Sequence, residues 1–130
     1  MKARFLVYGV PGQDYYRATR KMVLQGVDGI VFVADSDASR LQDNLASLAD
    51  MKGLLAEHGY DYDSLPLVMQ YNKRDLPNIL SVDELNRALN DRNVPWFEAV
   101  AIQSRGVIET FKAICNAVVT KLNEDLHAKL

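Results

Sequence analysis

Four consecutive residues, Asn72-Lys73-Arg74-Asp75, follow the apolar run Leu67-Val68-Met69-Gln70-Tyr71 and therefore sit where a buried strand ends. An aspartate there offers two oxygens side by side, which two adjacent N–H donors on a planar base edge satisfy through paired, charge-assisted hydrogen bonds. Guanine presents such an edge and adenine does not. A site of this kind leaves its carboxylate unpaired when the wrong base enters, so discrimination can reach ~10⁴-fold. Asn72 would brace the loop, and the Lys73 stem would cover one face of the base. A solvated turn uses the same residue types, as Pro77 just downstream illustrates, so the tetrad gains meaning only from ordered companions along the chain.

Those companions stand at the ends of other strand-like runs. Phe5-Leu6-Val7-Tyr8 leads into Gly9-Val10-Pro11-Gly12-Gln13, a turn rich in glycine and proline. Gly29-Ile30-Val31-Phe32-Val33-Ala34 is apolar on both faces and breaks at Asp35-Ser36-Asp37, as expected of a central parallel strand. Pro95-Trp96-Phe97-Glu98-Ala99-Val100 fits a fourth strand, ending at Ala101. Helical periods separate the runs: residues 15–25, then Leu41, Leu45, Leu48 and Leu55, then a capping box, Ser81-Val82-Asp83-Glu84, opening a short helix. In the last segment Val107, Ile108, Phe111, Ile114, Cys115, Val118, Val119 and Leu122 follow the i, i+3, i+4, i+7 rule. The alternation predicts an α/β fold with a mostly parallel sheet covered by helices.

The 130 residues are 48% hydrophobic and 25% charged, enough apolar material for one core. With 15 basic and 17 acidic residues and a net charge of −2, no basic field attracts nucleic acid. Cys115 reads as a small core residue, and His58 and His127 as surface residues without partners at metal-ligand spacing. The apolar runs are strand-sized, which predicts no transmembrane segment, and Met1-Lys2-Ala3-Arg4 carries no signal-peptide core, so the expected location is cytoplasmic.

The order Gly-Gln, Asp-Ser-Asp, tetrad, Glu98-Ala99-Val100-Ala101 resembles the Ras-like small GTPases. Val33-Ala34-Asp35-Ser36-Asp37 with Arg40, and Asn72-Lys73-Arg74-Asp75-Leu76-Pro77-Asn78, are similar to the Arf branch. Tyr8-Gly9-Val10-Pro11-Gly12-Gln13, Arg20-Lys21, Gly26-Val27-Asp28-Gly29 and Tyr71-Asn72-Lys73-Arg74 are closer still to the bacterial gliding-motility GTPases of the Mgl type. The resemblance implies a three-layer P-loop NTPase fold and a switch that binds GTP, hydrolyses it to GDP with Mg2+, and serves gliding motility and cell polarity. It implies that Gly12 donates its backbone N–H to the terminal phosphate and that Gln13 is catalytic, orienting the attacking water. Asn72, Lys73, Asp75, Val100 and Ala101 become nucleotide-binding, the Ala101 amide meeting the guanine oxygen, with Val100 in place of the usual serine. Residues 14–24, with Tyr15, Tyr16, Arg17, Arg20 and Lys21, correspond to the second switch and to a docking surface for a Roadblock-type GTPase-activating dimer. Gly9 replaces the aspartate that opens the glycine motif in most of the family, which weakens any indirect support of magnesium from that position.

No G-x-x-x-x-G-K-[ST] string occurs in the 130 residues. Such a string supplies the phosphate cradle, a lysine on the outer phosphates and a hydroxyl on magnesium. By the resemblance, the first strand, phosphate loop and first helix, a unit of at least ~30 residues, are missing. The reading is an N-terminally truncated GTPase domain over residues 1–130, its C-terminal two-thirds, which is not expected to bind GTP tightly alone. The missing strand would lie between the first two runs, so their backbone groups face a gap unless the two runs pair directly. Alternatives are a pseudo-GTPase interaction module and a receiver domain with Asp35 as phosphoacceptor, although no acidic pair stands near the first strand.

Overall fold

The computed structural model describes residues 4–9 and 26–128. Its strands are β1 (Phe5–Gly9), β2 (Gly29–Asp35), β3 (Leu67–Asn72) and β4 (Trp96–Glu98), and its α-helices are α1 (Leu41–Glu57), α2 (Val82–Leu89) and α3 (Val107–Ala128). The four strands form one parallel sheet in the order β1-β2-β3-β4. β1 pairs directly with β2, from Phe5 opposite Gly29 to Gly9 opposite Val33, so the two runs close the expected gap and satisfy their facing backbone groups.

Alternation along the strands separates two cores. Ile30, Phe32 and Ala34 of β2 and Leu67, Met69 and Tyr71 of β3 pack with Leu48, Met51, Leu54 and Leu55 of α1 and Leu85 and Leu89 of α2. Val31 and Val68, on the opposite face, pack with Ile114 of α3. Helices thus cover both faces of the sheet in a three-layer α/β arrangement. The capping box at the start of α2 forms as read: Ser81 Oγ accepts from the Glu84 N–H at 3.1 Å while the Ser81 N–H donates to Glu84 Oε1.

Four expectations need correction. The fourth strand is shorter than residues 95–100, because Val100 turns away from β3 and exchanges both backbone hydrogen bonds with Arg105. Cys115 is exposed rather than a core residue. The apolar arc of α3 is wider than the sheet beneath it, so Thr110, Ile114 and Val118 are buried while Ile108, Phe111 and Val119 remain exposed. His58 is half-buried, its Nδ1 2.9 Å from the Leu54 carbonyl, whereas His127 is exposed. The helix expected over residues 15–25 lies outside the described residues. No helix among the described residues is long and apolar enough to cross a membrane.

Candidate functional site

Parallel strands deliver all their C-terminal ends to one edge of the sheet, where α/β proteins form ligand crevices. That edge collects Asp35-Ser36-Asp37 from β2, the tetrad from β3 and Glu98-Ala99-Val100-Ala101 from β4. Backbone bonds stitch the three loops together. The Ser36 N–H donates to the Asn72 carbonyl, the Arg74 N–H to the Ala99 carbonyl, and the Leu80 N–H to the Ser36 carbonyl, at 2.9 to 3.2 Å.

Side chains complete the frame. Asn72 Oδ1 accepts from the Ala101 N–H at 2.9 Å, joining the loops after β3 and β4. This contact bears on the role the resemblance gives Ala101, since a guanine oxygen drawing on that amide would share it with Asn72. Val100 is buried at 4% exposure beside it. Gly106, at φ +79°, lets the loop from Ala101 fold back: an added Cβ there would lie 2.2 Å from the Glu98 carbonyl oxygen. α3 begins just beyond, fixed by Thr110, whose hydroxyl donates to the Gly106 carbonyl and accepts from Gln70 Nε2 of β3 at 2.9 Å.

The tetrad lysine does not float. Lys73 Nζ lies 3.0 Å from Asp35 Oδ2, a carboxylate only 7% exposed, with Arg40 Nε at 3.8 Å. Asp35 Oδ1 also accepts from the Asp37 N–H. Fully buried Asn44 holds the Asp35 backbone from α1, accepting from its N–H and donating to its carbonyl. Lys73 adopts φ +64°, a left-handed conformation costing a non-glycine residue ~1–3 kcal/mol, of the kind that surrounding contacts hold at ligand sites. Beside it, the Ser39 backbone amide and then the Ser39 hydroxyl hold the Asp37 carboxyl below the usual carboxylate range.

Asp75 differs from its neighbours. It is exposed, and among the described residues no hydrogen bond or ion pair engages its carboxylate. An unengaged acceptor pair on a loop braced at both ends fits a base edge. Gly9, at the end of β1, brings no carboxylate, and among the described residues no three His, Cys, Asp or Glu side chains gather closely enough to hold a metal. Gly12, Gln13, Tyr15, Tyr16, Arg17, Arg20 and Lys21 lie outside the described residues.

The sequence reading missed three participants. Asn44 could have been suspected, because it interrupts the apolar face of α1 between Leu41 and Leu48. The Asp35–Lys73 pair joins residues far apart in sequence and left no local signal. Arg74 occupies the tetrad's variable position and drew no attention, yet its side chain is only 16% exposed.

Residues 1–118 match the ADP-ribosylation factor family. The mutual gliding-motility protein MglA of Myxococcus xanthus (strain DK1622) is 51% identical to the chain over 123 residues, which are 95% of this chain and 63% of that protein. The chain therefore spans less than two thirds of the length of the relative it matches. The loops ordered along one sheet edge and the match over residues 1–118 agree, and the chain belongs to the ADP-ribosylation factor family, within the Ras-like small GTPases related to Mgl and Arf.

Proposed function

We propose that residues 1–130 are the base-reading, C-terminal part of a switch GTPase domain that binds GTP and hydrolyses it to GDP. The observation that carries the reading is Asp75, an exposed carboxylate with no partner among the described residues, on a loop fixed by Asn72, Lys73 and Arg74. Asp75 accepts the two N–H donors of guanine, the Lys73 stem covers the base, and Val100-Ala101 closes the far side. Gln13 acts on the water and Gly12 on the terminal phosphate; their contribution is positioning and charge stabilisation rather than covalent chemistry. Mg2+ supplies charge neutralisation at the phosphates in such proteins, and residues beyond the described carboxylates would have to hold it. The surface over residues 14–24, with Tyr15, Tyr16, Arg17, Arg20 and Lys21, receives a Roadblock-type activating dimer, and the switch operates in the cytoplasm in gliding motility and cell polarity. The similarity to a mutual gliding-motility protein supports that last assignment.

Two titrations test the base site on the chain as it stands. Without a phosphate-binding string, calorimetry with GDP and magnesium gives no dissociation constant tighter than roughly millimolar, since base contacts alone barely offset lost translational freedom. Micromolar affinity overturns the account of the phosphates. Ligand-observed NMR with guanosine and inosine monophosphates shows stronger contact with guanosine, whose exocyclic amine provides the second hydrogen bond to Asp75. Asp75→Asn shifts the preference towards xanthosine monophosphate; an unchanged preference removes Asp75 from the site.

A further inference from the structure

Among the described residues no hydrogen bond or ion pair engages the Asp75 carboxylate, so the backbone on either side sets where it stands. Arg74, the residue before Asp75, is anchored by three contacts to two segments, the end of β4 and the stretch before α2. Its N–H donates to the Ala99 carbonyl at 3.2 Å, its Nε to Glu98 Oε1 at 3.1 Å and its Nη1 to the Leu80 carbonyl at 2.6 Å. The last contact closes the loop on itself, because Leu80 is where the segment carrying Asp75 rejoins Ser36 and leads into α2. Between these anchors the chain makes a tight turn, with the Leu76 N–H donating to the Lys73 carbonyl at 3.1 Å.

We infer that Arg74, at the tetrad's variable position, is a positioning residue for base recognition that acts through Asp75. The inference rests on the base-reading function proposed above and adds a residue to it. The three anchors are unequal. Glu98 is 53% exposed, so its ion pair is screened and weak, whereas the Leu80 carbonyl contact is partly buried. A planar guanidinium serves the carboxylate and the carbonyl together, which a single ammonium group cannot reproduce in the same geometry.

Hydrogen exchange on the full chain, with and without Arg74→Met, reads the clamp without any nucleotide. The Leu76 and Leu80 amides should exchange about tenfold faster in the variant, as expected for loss of a charge-assisted hydrogen bond, with β2 amides unchanged. Glu98→Gln should change those rates less than about twofold, its pair being exposed. Guanosine and inosine monophosphate NMR then reads the function: Arg74→Met brings the preference close to unity, and Arg74→Lys falls between the two. Unchanged exchange at Leu76 and Leu80 overturns the inference, as does an undiminished guanosine preference in the variant. A parent chain that fails to distinguish the two nucleotides overturns the base-site reading and this inference with it. If Arg74→Met exposes the β2 amides as well, Arg74→Lys serves as the folded variant: normal exchange and a full guanosine preference there also overturn the inference.

Discussion

Alanine at three glycines separates the strain that positions the loop after β4 from ordinary backbone effects. Gly106 and Gly59 share a left-handed conformation, at φ +79° and +78°. Either alanine therefore incurs roughly 1–2 kcal/mol for that region. They differ in surroundings. A Cβ on Gly106 would sit 2.2 Å from the Glu98 carbonyl oxygen and 2.9 Å from Ala99 Cα, both backbone atoms, whereas Gly59 has nothing within 4 Å. Forcing that backbone apart adds about 1–3 kcal/mol, as overpacking does, for a total near 2–5 kcal/mol. Gly53, inside α1 with nothing within 4 Å, should gain stability by ~0.5–1 kcal/mol as alanine. Urea unfolding followed by circular dichroism resolves these differences at a slope of about 1–3 kcal/mol per molar urea. The midpoint should fall by more than ~1 M for Gly106→Ala, fall less for Gly59→Ala and rise for Gly53→Ala. Equal losses at Gly106 and Gly59 would show that the loop carrying Val100 and Ala101 does not rest on the end of β4. The Ala101 N–H would then reach Asn72 Oδ1 without support from the turn at Gly106.

Three further outcomes follow from buried polar groups and from the proposed chemistry. Ser36 is fully buried and its Oγ has no partner among the described residues, so Ser36→Ala should stabilise by ~1 kcal/mol in urea unfolding; a loss of that size would mean the hydroxyl is satisfied in solution. Burial pushes the Tyr71 hydroxyl from an ordinary 10 to about 12. Because this pKa is raised in the folded state, the stability it contributes is intact below pH 10 and is lost as pH rises towards 12, at about 1.4 kcal/mol per unit. Tyr71→Phe should flatten that alkaline decline, and an unaltered slope would refute the assignment. In a protein that carries a phosphate loop ahead of these residues, Gln13→Ala should slow GTP hydrolysis by at least ~10²-fold with little change in nucleotide affinity; single-turnover assays beside equilibrium titration separate the two.

β2 and β3 were legible because their residues are apolar on both faces, a pattern that only a strand buried between helices requires. The α2 start was legible because Ser81 and Glu84 satisfy each other within one turn. Of the site, Asn72 and Asp75 stood out through their types at the end of a strand. What joins the strand ends did not. Lys73–Asp35, Arg74–Glu98 and Asn72–Ala101 join the ends of different strands, the last through the Ala101 backbone N–H, and each partner is ordinary when read locally.

The limit is sharpest in α3. Its apolar positions keep helical spacing throughout, which fixes the element but not the surface beneath it. Burial of Ile114 and Val118 depends on the position of β2 and β3, and Thr110 is drawn inward by Gln70 rather than by hydrophobicity. Once Thr110 is locked to β3, the helix cannot rotate to bury Ile108 and Phe111 without breaking a buried hydrogen bond, at a cost of ~1–3 kcal/mol. A single polar contact therefore sets which part of a wide apolar arc faces the sheet. The same Thr110 hydroxyl donates to the Gly106 carbonyl and so ties the start of α3 to the loop that would close the proposed base-reading edge.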